Sequence, residues 1–340
     1  MEENMPELRQ DPATKEWVII ATERAKRPHD FRVEKRVTKV PEFVPDCPFC
    51  PGNESMAPPE ILAYRNGETT DKSKWLLRVV PNKFAALIPS GNLERKEELG
   101  IFRWMDGVGH HEVIIETPLH NQIMSSMDEK QIEKVLLAYR ERYNALKGDP
   151  HCKLIIIFKN YGLSAGTSLE HPHSQLVATP IVPSYIRKKL EEATRYYDDT
   201  GRCVYCDIIR NGLLYGKRLI VETEKFTVFH PFASRSPFET LIFPKEHQAS
   251  FGMISEGDSR EFARVLRETL SRLYRGLHNP DFNYVIHTSP IKDEEEDYYH
   301  WHLQIVPRLT TPAGFEMGSG MFINVALPEE TAEFLRNMKA

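Results

Sequence analysis

The chain has no uninterrupted apolar run of about 18 residues, the length that a membrane-spanning helix needs. It also has no excess of positive charge, since 44 lysines and arginines stand against 49 acidic residues and the net charge is −5. A broad basic face for nucleic acid is therefore not expected. Residues 1–4 lack the basic and apolar character of a signal sequence. Together these absences predict a cytoplasmic protein with neither a membrane nor a nucleic-acid partner.

One common catalytic signature is absent as well. The sequence contains no Walker-type phosphate loop, which argues against a kinase. Cysteine is scarce, with five residues in all, yet four of them form two Cys-x-x-Cys pairs at 47–50 and 203–206. Because thiols stay reduced in the cytoplasm, the pairs indicate metal sites, with a redox dithiol as the alternative.

The chain is organised around the sequence HPHSQ at residues 171–175, which an apolar run follows. Side chains alternate between the faces of a strand, so His171, His173 and Gln175 are predicted on one face and Ser174 on the other. Two imidazoles and an amide on one face can ligate a metal, attack an electrophile and stabilise developing charge. For one such stretch alone, a partly buried strand that happens to carry two histidines is the simpler interpretation.

The same pattern recurs as HWHLQ at residues 300–304. Each copy follows a Cys-x-x-Cys pair and a strand-like run that closes on a histidine, His120 or His247. This internal repeat predicts two related domains, at residues 1–195 and 196–340. The periodicity predicts an α+β fold of mostly antiparallel sheets flanked by helices. Strands are predicted at 17–20, 75–80, 113–120, 154–158, 226–229, 239–243 and 282–286, and helices at 128–146, 186–197, 259–277 and 328–338.

Each half offers the two cysteines and two histidines of a structural zinc site. The first set is Cys47, Cys50, His120 and His171, and the second is Cys203, Cys206, His247 and His300. We therefore expect two zinc ions per chain, each fixing an irregular cysteine-bearing segment to a sheet. In the second half His230, His287 and His302 are further candidate ligands.

If His171 binds metal, His173 is free on the same face of its strand. A neutral imidazole can attack phosphorus directly when its second nitrogen donates a hydrogen bond that fixes the tautomer. The resulting phosphoramidate can pass its phosphoryl group to a second substrate, which is a two-step, ping-pong transfer. Gln175 can hold a non-bridging phosphate oxygen during both steps.

These motifs, together with the basic segment ERAKRP at residues 23–28, resemble the galactose-1-phosphate uridylyltransferase family. That family belongs to the histidine-triad superfamily and has two such domains per chain, so the resemblance implies two tandem histidine-triad-like domains. It also implies uridylyl transfer in galactose metabolism, in which UDP-glucose donates UMP to His173 and galactose 1-phosphate collects it. A homodimer is implied in the same way.

The resemblance also implies roles for individual residues. Arg24 and Arg27 match phosphate or sugar-phosphate contacts, and Asn82 matches a nucleoside contact. Asn160 and Ser168 match phosphate contacts, while Gln175 matches the partner of the covalent intermediate. Phe315 lies in a segment that matches the family near its sugar site.

Two departures from the family pattern leave alternatives open. Some members bind iron in the second half through a glutamate and three histidines, and a gap-free count places Lys189 where that glutamate would stand. The second cysteine pair resembles the ADP-glucose phosphorylase branch, which hands the nucleotide to free phosphate. A third alternative is a zinc-stapled module that binds nucleotides or RNA without turnover. The acidic balance and the free His173 beside Gln175 argue against it.

Overall fold

The computed structural model describes residues 5–21, 27–33, 40–67, 71 and 73–339. Strands and α-helices alternate along both halves of the chain. The strands are β1 Glu7–Gln10, β2 Trp17–Ile20, β3 Leu62–Arg65, β4 Trp75–Pro81, β5 Lys96–Glu98, β6 Phe102–Trp104, β7 His110–Ile115, β8 Leu154–Tyr161, β9 His173–Thr179, β10 Leu219–Glu222, β11 Phe226–Phe229, β12 Thr240–Pro244, β13 Phe282–His287, β14 His302–Pro307 and β15 Phe322–Asn324. The α-helices are α1 Glu129–Leu146, α2 Ser184–Thr200, α3 Val204–Tyr215, α4 Glu256–Leu277, α5 Gly314–Ser319 and α6 Pro328–Arg336.

A single 10-stranded sheet runs through both halves, in the order β10-β11-β12-β14-β13-β8-β9-β7-β4-β3. All of its neighbouring strands are antiparallel. The order is symmetric about the contact between β8 and β13. Outward from β8 come β9, β7, β4 and β3, and outward from β13 come β14, β12, β11 and β10. The α+β prediction of tandem, related antiparallel units is therefore confirmed.

Helices α1 and α4 pack against each other on the sheet. Their inward residues follow the helical spacing seen in the sequence and are fully buried in one shared core: Ile132, Val135, Leu136, Tyr139, Phe262, Val265, Leu266 and Leu270. Each such side chain contributes about 1.5–3 kcal/mol through burial. On the exposed side, Arg260 of α4 forms an ion pair with Glu133 of α1 at 3.3 Å. The core therefore belongs to both halves of the chain.

Some local predictions were wrong in detail. Helix α1 begins at Glu129, one residue after its predicted start, because Asp128 is its cap: the Asp128 carboxylate accepts a hydrogen bond from the Lys130 amide at 2.8 Å. The second cysteine pair does not lie in an irregular segment, because Cys203 caps α3 and Cys206 lies within it. Strand β7 ends at Ile115, so His120 lies in the turn that follows.

Smaller elements surround the large sheet. Strand β2 pairs with β1 in antiparallel and with β15 in parallel orientation, which joins the N-terminal segment to the C-terminal one. The predicted domain boundary at residues 195 and 196 falls within α2 and stays a prediction. Among the described residues, none of the helices combines the length and the apolar character needed to cross a membrane.

Candidate active site and metal clusters

The first predicted metal set is assembled where the ends of β7 and β9 meet the cysteine segment. The ligand atoms of Cys47, Cys50, His120 and His171 all lie within 4.8 Å of one another, and all four residues are buried. The Cys50 sulfur lies 3.5 Å from Nδ1 of His120 and 3.6 Å from Nδ1 of His171. Ligands around a tetrahedral zinc ion are roughly 3.3–3.8 Å apart, given its bond lengths. The cluster therefore fits that metal.

The protonation of His171 also suits metal binding. Its Nε2–H donates to the Thr117 carbonyl at 2.8 Å, which leaves the lone pair of Nδ1 directed at the cysteines. Burial lowers the pKa of His171 to about 4, so the ring is neutral at pH 7. Burial also raises the pKa of the Cys47 thiol to about 11, and a bound divalent cation would reverse this by stabilising the thiolate.

His173 begins β9 and does not belong to this cluster, because its ring makes a different hydrogen bond. Its Nδ1–H donates to the His171 carbonyl at 2.8 Å, so the lone pair lies on Nε2. The side chain is buried, and this burial lowers the pKa of the ring below its ordinary value. The ring of Phe49, between the two cysteines, lies 5.5 Å from the His173 ring. His173 is thus a neutral imidazole in a fixed tautomer.

Gln175 is oriented by a neighbour that the sequence did not single out. The Ala86 amide donates to Nδ1 of His111 at 3.1 Å, which places the proton of that ring on Nε2. This Nε2–H donates to the Gln175 carbonyl oxygen at 2.8 Å. The Asn82 side-chain amide lies 3.0 Å from the same ring nitrogen and approaches the Gln175 oxygen at 3.4 Å. With its oxygen held in this way, Gln175 presents its NH₂ group as a donor.

A buried ion pair lies on the opposite face of the sheet. The Lys159 ammonium donates to the Glu116 carboxylate at 2.7 Å and to the backbone carbonyl of His173 at 2.9 Å. Ser174 is fully buried on this face and accepts a hydrogen bond from the Tyr139 hydroxyl at 2.5 Å. Ser174 is therefore directed away from His173, as strand alternation predicted. Lys159 fixes the backbone from which the His173 side chain projects.

His111, Glu116 and Lys159 were missed by sequence reasoning. The sequence contains only a weak indication of two of them. Lys159 follows directly on the apolar run of β8, and Glu116 follows directly on that of β7. A charged residue at such a position must find a partner or reach water. Sequence alone could not show that the two charges meet each other beneath the histidine strand.

The structure brings only some of the other predicted substrate residues to His173. The register of β8 and β9 pairs Phe158 with Gln175, so Asn160 lies opposite His173 on the same face. The Asn160 carbonyl oxygen accepts a hydrogen bond from the Asn283 amide at 2.8 Å, a contribution from the second half. Ser168 lies exposed in the loop before β9.

That loop is anchored to the second half of the chain. Gly162 begins it with a φ of +85°, and a Cβ at this position would clash with the carboxylate of Asp281. The same carboxylate accepts hydrogen bonds from the Ser164 amide at 2.9 Å and from its hydroxyl at 2.6 Å. Glycine is therefore required where the chain leaves β8.

The remaining predicted contacts lie elsewhere. Arg27 is exposed at the start of a short 3₁₀ helix, Pro28–Phe31. Phe315 lies on α5, which contacts β15, and 49% of its side chain is exposed. Within the described part of the chain, no hydrogen bond links either residue to the group around His173. Arg24 lies outside the described residues.

The second predicted metal set is assembled at the equivalent place in the second half. The ligand atoms of Cys203, Cys206 and His247 lie within 4.8 Å of one another. Nδ1 of His300 lies 3.5 Å from Nδ1 of His247 and 3.9 Å from the Cys206 sulfur. The Nε2–H of His300 donates to the Pro244 carbonyl at 2.9 Å, so the lone pair is on Nδ1, which the Gln248 amide also approaches at 3.3 Å. His300 thus adjoins the three-residue cluster as the natural fourth ligand.

The second histidine of this copy is held as its counterpart is. The Nδ1–H of His302 donates to the His300 carbonyl at 3.1 Å. Its surroundings differ, however, because the rings of Phe243 and His287 stack on it at 4.7 and 4.9 Å. Gln304 accepts a hydrogen bond from His287 at 2.8 Å and donates to the buried Glu239 at 2.5 Å. Both polar groups of this glutamine are therefore occupied.

Comparison with known proteins gives matches over the whole chain. The N-terminal domain model of galactose-1-phosphate uridyl transferase matches residues 1–183, and the C-terminal domain model matches residues 189–339. An ADP-glucose phosphorylase from Arabidopsis thaliana is 37% identical, with 99% of this chain and 94% of the relative covered. A galactose-1-phosphate uridylyltransferase from Thermotoga maritima is 31% identical, with 98% of each chain covered.

Solved structures give the same picture. The crystal structure of the Arabidopsis thaliana ADP-glucose phosphorylase with bound ADP-glucose superposes with a TM-score of 0.82 at 33% identity, covering 99% of this chain and all of the other. A uridylyltransferase structure superposes with a TM-score of 0.74 at 27% identity, covering 98% of this chain and 97% of the other. The tandem architecture of the sheet is shared by both.

Proposed function

The chain belongs to the galactose-1-phosphate uridylyltransferase family of nucleotidyltransferases, and from that premise we propose that it moves a nucleoside monophosphate through a covalent intermediate on His173. One observation carries the proposal. The Nδ1–H of His173 donates to the His171 carbonyl at 2.8 Å, which leaves a lone pair on Nε2 of a neutral ring. Such a nitrogen attacks phosphorus without first losing a proton.

In the first step, Nε2 of His173 attacks the α-phosphorus of a nucleotide sugar. A phosphorus–nitrogen bond forms, and the bond to the bridging oxygen breaks, releasing hexose 1-phosphate. In the second step, an acceptor phosphate oxygen attacks the same phosphorus, and the histidine leaves as a neutral ring. The NH₂ group of Gln175 holds a non-bridging oxygen in both steps, because His111 fixes its other end.

The first candidate reaction is uridylyl transfer from UDP-glucose to galactose 1-phosphate, within galactose metabolism. The family match over both halves and the relative from Thermotoga maritima support it. The second candidate is adenylyl transfer from ADP-glucose to free phosphate, supported by the 37% identity with the Arabidopsis thaliana phosphorylase. Both use His173 in the same chemical role and differ in base and acceptor.

Zinc is the metal we propose for both clusters. Cys47, Cys50, His120 and His171 would hold one ion, and Cys203, Cys206, His247 and His300 the other. Fully coordinated by protein, such an ion would supply structural cross-linking and leave the chemistry to His173. Its binding would fix the backbone on which His173 stands, because His171 is a ligand two residues earlier.

Further parts of the proposal rest on the resemblance to the family. We infer that Arg24, Arg27, Asn82, Asn160, Ser168 and Phe315 contact substrate, with Asn160 supported by its position opposite His173. We also infer a cytoplasmic homodimer with functional units at 1–195 and 196–340. Light scattering that gives a monomeric mass at micromolar concentration would contradict the dimer.

The proposal is tested by mass spectrometry of the enzyme after mixing with UDP-glucose or ADP-glucose alone. We expect a mass gain of one nucleoside monophosphate, UMP or AMP, which identifies the donor. The adduct should disappear on adding galactose 1-phosphate or phosphate, which identifies the acceptor. Replacing Gln175 by alanine should slow its formation about 10²–10³-fold, the usual loss for one charge-stabilising donor.

The chain supplies its own matched control. The His173→Ala variant should form no adduct and exchange no labelled glucose 1-phosphate, while its metal content is unchanged. The His302→Ala variant removes the equivalent histidine of the second copy and should still form the adduct. If His173→Ala still exchanges label and the wild-type enzyme yields no adduct, the mechanism is wrong.

A further inference from the structure

A cavity of about 410 Å³ lies in the second half of the chain. The N-terminal segment, α2, α3 and the edges of β11, β12 and β14 enclose it, and His302 and Gln304 are among its lining residues. Its size falls within the roughly 300–1,000 Å³ of small-molecule sites. It occupies the place in the second half that the His173 site occupies in the first. None of the substrate contacts inferred above lies in it.

The cavity contains a buried cation without a partner. Lys189, on α2, is only 7% exposed and lines the cavity. Among the described residues, no carboxylate forms an ion pair with its ammonium group and no acceptor takes a hydrogen bond from it. Its ammonium lies over the face of the Tyr185 ring, 4.7 Å from the ring centre, and its charge adds to burial in lowering the pKa of His287 and of His302. A buried ammonium needs a counter-charge, because burial removes its hydration.

The other cations that line the cavity already have counter-charges. The Arg235 guanidinium forms an ion pair with Glu16 and a hydrogen bond with the Tyr185 hydroxyl. Arg218 forms an ion pair with Glu329 at 2.8 Å. Lys189 therefore differs from both arginines in offering an unsatisfied positive charge to the cavity.

The acidic residues of the lining are likewise engaged. Asp11 accepts hydrogen bonds from two backbone amides, at 2.8 and 3.1 Å. Asp207 is held by Arg202 at 2.9 Å and by Arg210 at 2.6 Å, and Glu239 accepts hydrogen bonds from Gln304 and from a backbone amide. Each carboxylate is held by its own donors. Lys189 thus differs from these carboxylates, because among the described residues its ammonium has neither an ion pair nor a hydrogen bond, which favours an anionic ligand over a metal cation.

The mouth of the cavity is aromatic. Tyr185 and Phe232 are 43% and 44% exposed, while Tyr205 and Phe229 are buried and form part of the cavity wall. Flat apolar faces beside a cationic interior suit a ligand with a phosphate at one end and a ring at the other. We propose that this cavity binds a small organic phosphate, a phosphate monoester carried on a sugar or nucleoside, whose phosphate pairs with Lys189. The inference does not depend on the reaction proposed for His173.

The test uses the full-length protein and the variant Lys189→Met, which removes the charge and nearly keeps the side-chain length. The probes are AMP, glucose 1-phosphate and inorganic phosphate, each titrated by calorimetry and soaked into crystals. In the wild-type protein we expect AMP or glucose 1-phosphate to show a second binding event and electron density beside Lys189. In Lys189→Met that event should weaken at least tenfold, and in Lys189→Arg it should persist.

Arg187→Met is the matched control, because Arg187 lies on the same helix, is exposed and forms no ion pair among the described residues. It should bind all probes as the wild type does. The rate of adduct formation on His173 should change less than twofold in Lys189→Met, which separates this site from the first. Unchanged binding in Lys189→Met, density for inorganic phosphate alone, or an empty cavity with all three probes would overturn the proposal.

Discussion

At the scale of single residues, the two histidine copies make the same backbone contact and differ in what covers them. His173 and His302 both donate from Nδ1 to the carbonyl two residues earlier, at 2.8 and 3.1 Å. The ring of His302 is covered by the stacked rings of Phe243 and His287. Gln304, the counterpart of Gln175, forms hydrogen bonds through both its oxygen and its NH₂ group. Gln175 keeps its NH₂ group available beside His173. The reactivity that we propose for His173 therefore depends on its neighbouring side chains and not on the shared motif alone.

The ion pair beneath His173 gives a stability prediction. Replacing Lys159 by methionine should destabilise the protein by about 3–5 kcal/mol, because it leaves the buried Glu116 carboxylate without a counter-charge. The double variant Lys159→Met/Glu116→Leu should recover most of that loss, since neither charge remains. Urea denaturation of the three proteins at pH 7.5 measures both effects. A double variant as unstable as the single one would contradict this account.

His230 gives a prediction about pH. It is almost fully buried, and burial lowers its pKa to about 4, whereas an unfolded histidine titrates near ~6.5. Between these values the unfolded chain binds the extra proton. The stability that His230 contributes is thus complete above the unfolded pKa and is lost as the pH falls through the window.

The expected slope is about 1.4 kcal/mol per pH unit from this residue. Urea midpoints measured between pH 7.5 and 4.5 should fall more steeply for the wild type than for His230→Phe, which cannot bind the proton. The comparison isolates His230 from the other histidines that titrate in this range. Equal slopes in the two proteins would show that burial does not suppress its protonation.

At the scale of elements, each candidate metal cluster joins three pieces of chain that would otherwise be separate. The first joins the cysteine segment at 47–50 to the turn after β7 and to the start of β9. The second joins the beginning of α3 to the segments after β12 and before β14. In both clusters, the histidine before the strand, His171 or His300, has its lone pair on Nδ1, on the side of the cysteines. The histidine that begins the strand, His173 or His302, donates a hydrogen bond to the backbone carbonyl of that first histidine.

This arrangement predicts which histidine of each pair holds zinc. Metal analysis should find two ions per chain in the wild type and in His302→Ala. It should find one ion, or a greatly weakened second one, in His300→Ala, which should also lose stability because binding in such sites is coupled to folding. Two tightly held ions in His300→Ala would assign the fourth ligand to another histidine.

At the scale of the whole molecule, the two related units are not independent bodies. Strands β8 and β13 pair along the middle of the sheet, and α1 and α4 share a core above it. Asn283 and Asp281 from the second half contact Asn160 and the loop before β9. The geometry around His173 is therefore supported by both halves.

Separate expression of residues 1–195 and 196–340 tests this. Each fragment would expose an edge strand and the apolar side of one helix, so we expect each alone to aggregate or to lack cooperative unfolding. Mixed during refolding, the two should recover soluble protein and adduct formation. A fragment 1–195 that is monomeric, folds cooperatively and forms the adduct would show that the second half is dispensable.

The sequence by itself determined the repeated pattern, the fold class, both cysteine pairs and the face of the histidine strand on which His171, His173 and Gln175 lie. These follow from local rules: the period of two along a strand, the period of 3.6 along a helix and the spacing of metal ligands. His173 and Gln175 could be singled out because the two histidines and the glutamine lie within five consecutive residues, 171–175.

Only the tertiary structure decided which distant residues meet. The contact of His111 with Gln175 spans 64 positions, and that of Lys159 with Glu116 spans 43. Both depend on the order in which strands pair, which no local pattern records. The same is true of Lys189, whose position on a polar helix predicts an exposed charge. Its burial in a cavity arises because α2 packs over the second half of the sheet, where none of the described carboxylates pairs with it.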